Sequence, residues 1–177
     1  YPFVTSSSTS LAGALQGAGI APKALKSSIG VAKAYCTRVG AGTFSTELTD
    51  EVGDRLREKG GEYGATTGRP RRCGWLDISD LKYAVAVNGF TGWNITKLDV
   101  LDNEEEIFVG VGINSDGSIK YEKLAGWQTS TEHITSFNNL PENAKKYIQF
   151  IEKESGVPVV LIGTGQGRED MIIRYVE

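Results

Sequence analysis

The chain has 177 residues, a formal net charge of −3, and 40% hydrophobic and 23% charged residues. That length suits one domain able to bury a core of its own, and the composition is that of an ordinary globular protein. The acidic balance argues against a nucleic-acid partner, no apolar run approaches the ~20 residues that span a bilayer, and no signal peptide is visible.

The chain opens on Tyr1-Pro2, and Tyr1, Phe3 and Val4 already have strand character, so a longer parent protein is expected. The polar run Thr5 to Ser10 reads as a helix-capping turn, and its hydroxyls also suit an anion at a helix start. Residues 11–21 are rich in Gly and Ala and specify little. Pro22 opens a short helix to about Ser28, and 30–39 reads as a strand ended by Gly40-Ala41-Gly42. A helix is expected from Asp50 to Lys59, capped by Thr49 and stopped by Gly60-Gly61.

Asp77 caps a second helix, Ile78 to Asn88, closed by Gly89. Residues 93–100 read as a strand. EIFVGVGI and SIKYEKL flank Asn114-Ser115-Asp116-Gly117, which predicts a hairpin. Pro141 starts a helix to 154 with Ala144, Tyr147, Ile148 and Ile151 on one side, and Gly156 ends it. VPVVLIGTG reads as a buried strand and MIIRYV as another. Intermixed helices and strands give an α/β or α+β class. Cys36 and Cys73 form neither a CxxC pair nor a metal-ligand spacing, which fits a reduced, cytoplasmic protein.

Three stretches carry chemistry. In EYGATTGRPRRCGWLD (62–77), Arg69, Arg71 and Arg72 fall within four positions, with no acid between Gly64 and Trp75. Guanidinium groups match carboxylate and phosphate oxygens two at a time. The loop is either a site for a small anion or a solvated basic turn. In Thr96-Lys97-Leu98-Asp99, a carboxylate can accept from N1–H and the 2-amino group of guanine together, and a surface ion pair is the plainer reading. Gly163-Thr164-Gly165-Gln166-Gly167 lets a base or ribose press against backbone, or makes a simple turn. His133 reads as a surface residue, and no zinc, calcium, triad or Walker A pattern is present.

Together and in order, YPFVTSSST, VAKAYCTRVGAG, STEL, EYGATTGRPRRCGWLD, TKLDVLD, the AGW at Trp127 and GVPVVLIGTGQGRED closely resemble adenylosuccinate synthetase. The resemblance covers essentially the whole chain. It implies an α/β fold, the C-terminal part of a P-loop-NTPase-like synthetase with mixed strands and helices and a β-hairpin. Residues 1–177 would form a single C-terminal region without the N-terminal phosphate loop and catalytic part. The family joins inosine monophosphate (IMP) to L-aspartate at the expense of GTP, with magnesium, as a cytoplasmic homodimer acting on neither nucleic acid nor membrane.

By that resemblance Thr5 and Arg69 would touch IMP. Ala65, Thr66, Thr67, Gly68, Arg69, Pro70 and Arg71 would form the aspartate loop. Arg71, Lys97, Leu98, Asp99, Gly163, Thr164 and Gly165 would hold GTP. No catalytic residue or metal ligand is assigned within the chain, and the magnesium ligands are expected in the N-terminal part. Thr43 and Ser45 stand where the family often has prolines, and Cys36 where it has serine or threonine, which alters loop stiffness alone. The alternative is a stand-alone guanine-nucleotide or anion-binding module without catalysis.

Overall fold

A computed structural model describes residues 7–174. The expected strand at Tyr1–Val4 and the candidate Thr5 lie outside the described residues. Ser10, at the end of the hydroxyl run, caps helix α1 (Leu11–Ala18) by accepting from the Gly13 N–H at 3.1 Å. The helix expected from Pro22 to Ser28 is only a 3-10 turn, Pro22–Ala24.

The strand expected over 30–39 is two strands, β1 (Ile29–Lys33) and β2 (Cys36–Arg38). The break falls where Tyr35 turns inward, 1% exposed, to donate its hydroxyl to Glu62. Helix α2 (Glu51–Gly60) is capped by Asp50, not Thr49. The Asp50 carboxylate accepts from the N–H groups of Val52 and Gly53 at 3.1 and 3.2 Å. Gly61 closes it in the left-handed conformation, which an L side chain adopts only at a cost.

Strand β3 (Arg72–Gly74) pairs antiparallel with β2. Helix α3 (Ile78–Asn88) runs as expected from its Asp77 cap, which accepts from Ser79 N–H at 2.8 Å, to Gly89. Replacing Asp77 with Ala is expected to cost about 1 kcal/mol. That lowers Tm by roughly 2–4 °C in a domain of this size. Asp77→Asn, an equally good cap, should melt like the wild type, and a drop as large as the alanine variant's would show that the cap is not the cause.

Strand β4 (Gly92–Thr96) is shorter than the expected 93–100, because Lys97 turns left-handed at φ 61° and residues Leu98–Leu101 coil into a 3-10 turn. The hairpin of β5 (Glu106–Ile113) and β6 (Ile119–Ala125) forms as expected across Asn114–Gly117. Helix α4 (Glu142–Ser155) follows Pro141 and ends at Gly156. Strands β7 (Val159–Gly163) and β8 (Met171–Ile173) complete the chain.

The main sheet has the order β1-β4-β7-β8, with the first three parallel and β8 antiparallel. The hydrophobic core lies between this sheet and its helices. Trp93, Ile95, Val159 and Ile162 meet Ala144, Tyr147, Ile148 and Ile151 of α4, all at 2% exposure or less. Each large apolar side chain so buried contributes about 2 kcal/mol. Among the described residues, no helix is long and apolar enough to cross a membrane.

Register decides where a ligand can sit. Lys33 pairs with Thr96 and Ile95 with Ile162, so the carboxyl ends of β1, β4 and β7 reach one edge together. Open α/β sheets bind ligands at such an edge, since the loops leaving it are free of the ladder.

Candidate functional site

The loops at that edge converge on one carboxylate. Glu62 follows the left-handed Gly61 and is fully buried. Its Oε1 accepts from Tyr35 OH at 2.6 Å, Lys33 Nζ at 2.8 Å and Lys97 Nζ at 3.0 Å. Its Oε2 accepts from Arg71 Nη1 at 2.8 Å and Lys33 Nζ at 2.9 Å. Burial pushes the carboxyl up, but the donors from Lys33, Tyr35, Lys97 and Arg71 outweigh it and hold it near 2. Burial, only partly offset by Glu62, moves the Lys33 ammonium down. Three cations around one carboxylate leave an excess of positive charge at the strand ends.

The arginine loop springs from this point. Tyr63 and Pro70 bridge its base, and Gly64 N–H donates to the Arg69 carbonyl at 2.9 Å. Gly68 sits at φ 62°, where a side chain would strain the turn. Residues 65–70 form an exposed tip. The three arginines divide. Arg72 is held by Glu47 and by the carbonyls of Gly40 and Gly42 at 3.2 and 2.8 Å, so it is structural. Arg71 is tied to Glu62. The Arg69 guanidinium has no carboxylate partner among the described residues and stands exposed at the tip. The stretch free of acids is real in the sequence, but Glu62 and Glu47 supply the counter-charges in space.

Beside the cluster lies a cavity of about 380 Å³, lined by Lys59, Gly60, Lys97, Asp99, Gly165 and Gln166 among others. Lys97 Nζ also donates to the Gly60 carbonyl at 2.5 Å. Leu98 is fully buried and pins the 3-10 turn that carries Asp99. Asp99 Oδ1 is buried with no hydrogen-bond partner, and burial pushes its carboxyl up. A carboxylate left so is costly unless something else supplies the donors.

The opposite wall comes from the end of β7. A side chain at Gly163 would meet the backbone of Thr96 at 3.4 Å. Thr164 is fully buried and donates its hydroxyl to the Ile134 carbonyl at 2.9 Å. A β-carbon at Gly165 would lie 2.6 Å from Asp170 Oδ2. Asp170 in turn accepts from Gly167 N–H at 2.7 Å and pairs with His133 Nδ1 at 2.7 Å. His133 is the exposed residue expected, yet it fastens this loop, and Asp170 raises its pKa through that bond.

The structure therefore brings Lys97, Leu98 and Asp99 against Gly163, Thr164 and Gly165, with Arg71 close by through Glu62. The loop Ala65, Thr66, Thr67, Gly68, Arg69 and Pro70 projects from the same edge. Sequence reasoning gave no role to Glu62, Lys33 or Tyr35, although all three stood inside quoted runs. A larger cavity of about 560 Å³ lies around β1 and β2, between Lys33, Thr37, Thr46, Asp77 and Asp80. Among the described residues no three His, Cys, Asp or Glu side chains converge to hold a metal ion.

A family model described as adenylosuccinate synthetase matches residues 1–172. The chain is 49% identical over 191 residues to the adenylosuccinate synthetase of Schizosaccharomyces japonicus, covering 99% of this chain and 44% of that one. It is 50% identical over 190 residues to that of Thermodesulfovibrio yellowstonii, covering 98% and 45%. The structure of fully ligated adenylosuccinate synthetase from Plasmodium falciparum superposes with a TM-score of 0.92 at 46% identity, over 99% of this chain and 46% of that one. The chain thus spans less than half the length of the relatives it matches.

Proposed function

Because the chain belongs to the adenylosuccinate synthetase family, we propose that it supplies the guanine wall, the aspartate loop and part of the IMP site of a GTP-dependent ligase joining IMP to L-aspartate. The observation that carries this reading is Asp99, whose buried Oδ1 lacks a donor beside a cavity. Guanine presents N1–H and a 2-amino group side by side, and one carboxylate takes both. Adenine offers no such pair. Gly165 and Gln166 line the facing side of the cavity, and Lys97 lines it beside Asp99.

On this reading the loop Ala65–Arg71 closes over aspartate, with Thr66, Thr67, Arg69 and Arg71 donating to its carboxylates. Arg69 also reaches the IMP phosphate or ribose, with Thr5 as a second contact. Arg71 faces the phosphates of GTP, where positive charge lowers the cost of moving a phosphoryl group. On this reading these residues bind, orient and neutralise rather than deprotonate, and the magnesium ligands belong to the N-terminal part of the family's chain. GTP, IMP, L-aspartate and a second copy of the chain are the partners proposed, in the cytoplasm.

The test is a turnover assay with GTP, IMP, aspartate and magnesium. The full-length chain carrying these residues is expected to form adenylosuccinate at roughly 1 per second or more, and only with all the substrates present. The 177 residues by themselves should stay at background, since they contain no glycine-rich phosphate loop. A full-length chain that uses ATP as well as GTP would remove the guanine reading.

A further inference from the structure

We propose that Glu62 is a positioning residue, a single buried carboxylate that sets the placement of Arg71 and Lys97 together and so joins the anion loop to the guanine wall. The inference rests on the function proposed above and deepens it. Glu62 lines neither cavity, so any effect on a bound substrate passes through its partners. Those partners come from three separated parts of the chain, namely Lys33 at the end of β1, Arg71 at the foot of the loop and Lys97 past the end of β4. Arg71 and Lys97 are both about one-third exposed, so their heads face solvent while their anchor is fully buried.

Two consequences of that anchor oppose each other. Glu62 is negative, so by charge alone it weakens any anion bound nearby. It also keeps three like charges at fixed places. Without it they repel one another at close range in a poorly solvated site and swing apart into water. The second effect is expected to win, because the donors of a preorganised site lose most of their value once they must be ordered at the moment of binding. The sign of the change therefore separates positioning from charge.

The experiment measures the KM of GTP and of aspartate separately in the full-length chain, with thermal melts beside them. Glu62→Gln is expected to raise both KM values about tenfold and to lower kcat too, since Arg71 also faces the phosphoryl group in the proposed site. Tyr35→Phe, which removes only the hydroxyl that donates to the same Oε1, should raise both about two- to threefold, and it carries the test should Glu62→Gln fail to fold. A fall in either KM would show that charge and not placement governs. A rise in one KM alone would break the proposed link. A lowered Tm with both KM values unchanged would reduce Glu62 to a structural residue. A wild-type chain that does not use GTP would overturn the functional reading itself, and this inference with it, which a wild-type control reads directly.

Discussion

Asp99→Asn is expected to turn the nucleotide preference of the full-length chain away from GTP and toward xanthosine triphosphate. Aspartate offers two acceptors to the guanine edge. Asparagine offers one acceptor and one donor, which suits the 2-oxo group that xanthine carries in place of the 2-amino group. Discrimination built on buried polar groups can be large, because the wrong base leaves them unpaired. A bidentate contact to a base is worth about 1–3 kcal/mol in nucleic-acid readers. On that scale the GTP-to-xanthosine triphosphate ratio of kcat/KM shifts roughly tenfold to a hundredfold. The fold should not suffer, since the substitution removes a half-buried charge that has no internal partner at Oδ1. Unchanged ratios across GTP, ATP and xanthosine triphosphate would mean that Asp99 does not read the base.

The second large effect is on stability. Asp102, in the same turn, is 2% exposed. Its Oδ1 accepts from Trp127 Nε1 and Thr131 Oγ1, both at 2.7 Å, and its Oδ2 from Thr131 N–H at 2.8 Å. Lys59 Nζ lies 3.8 Å away. Asp102→Ala strands three buried donors and opens a small void. Removing one partner from a buried charged network costs about 3–5 kcal/mol. In a domain of this size that is a fall in Tm of roughly 10 °C. Asp102→Asn keeps one acceptor and should lie between. A fall of less than about 2 °C for the alanine variant would show that water replaces the carboxylate without penalty.

Elements were legible in the sequence where their causes are local. The hairpin needs only Asn114–Gly117 between two apolar runs, and α3 needs only Asp77 before it and Gly89 after it. Helix α1 was hidden because its cap, Ser10, is one hydroxyl residue among several and its eight residues bury nothing, so no apolar stripe marks it. The break between β1 and β2 has a distant cause, the contact of Tyr35 with a residue 27 positions on. Lys97 ends β4 by a left-handed turn that no turn residue announces.

The candidate site was legible as motifs and not as a geometry. Arg69, Arg71 and Arg72 are alike in sequence and differ only through Glu62 and Glu47, which reach them across the fold. Asp99 could be named as a base reader, but only the packing of Leu98 and the 3-10 turn leaves its oxygen buried and unpaired. Glu62 carried no signal of its own, because its meaning lies in partners 29 and 35 positions away.

The parallel register of β1, β4 and β7 has a consequence for how binding competence is acquired. The site draws on residues 62–72, 97–99 and 163–165, which meet only after three strands separated by long crossovers have aligned. Such non-local parallel pairing is slow, since the entropy of loop closure is spent before any contact rewards it. A chain emerging from the ribosome therefore presents Asp99 and the arginine loop well before the glycine wall at the end of β7 exists to face them. If the site binds a nucleotide as proposed, that affinity is expected among the last events of folding, and a nucleotide present at that moment would favour the finished register by mass action.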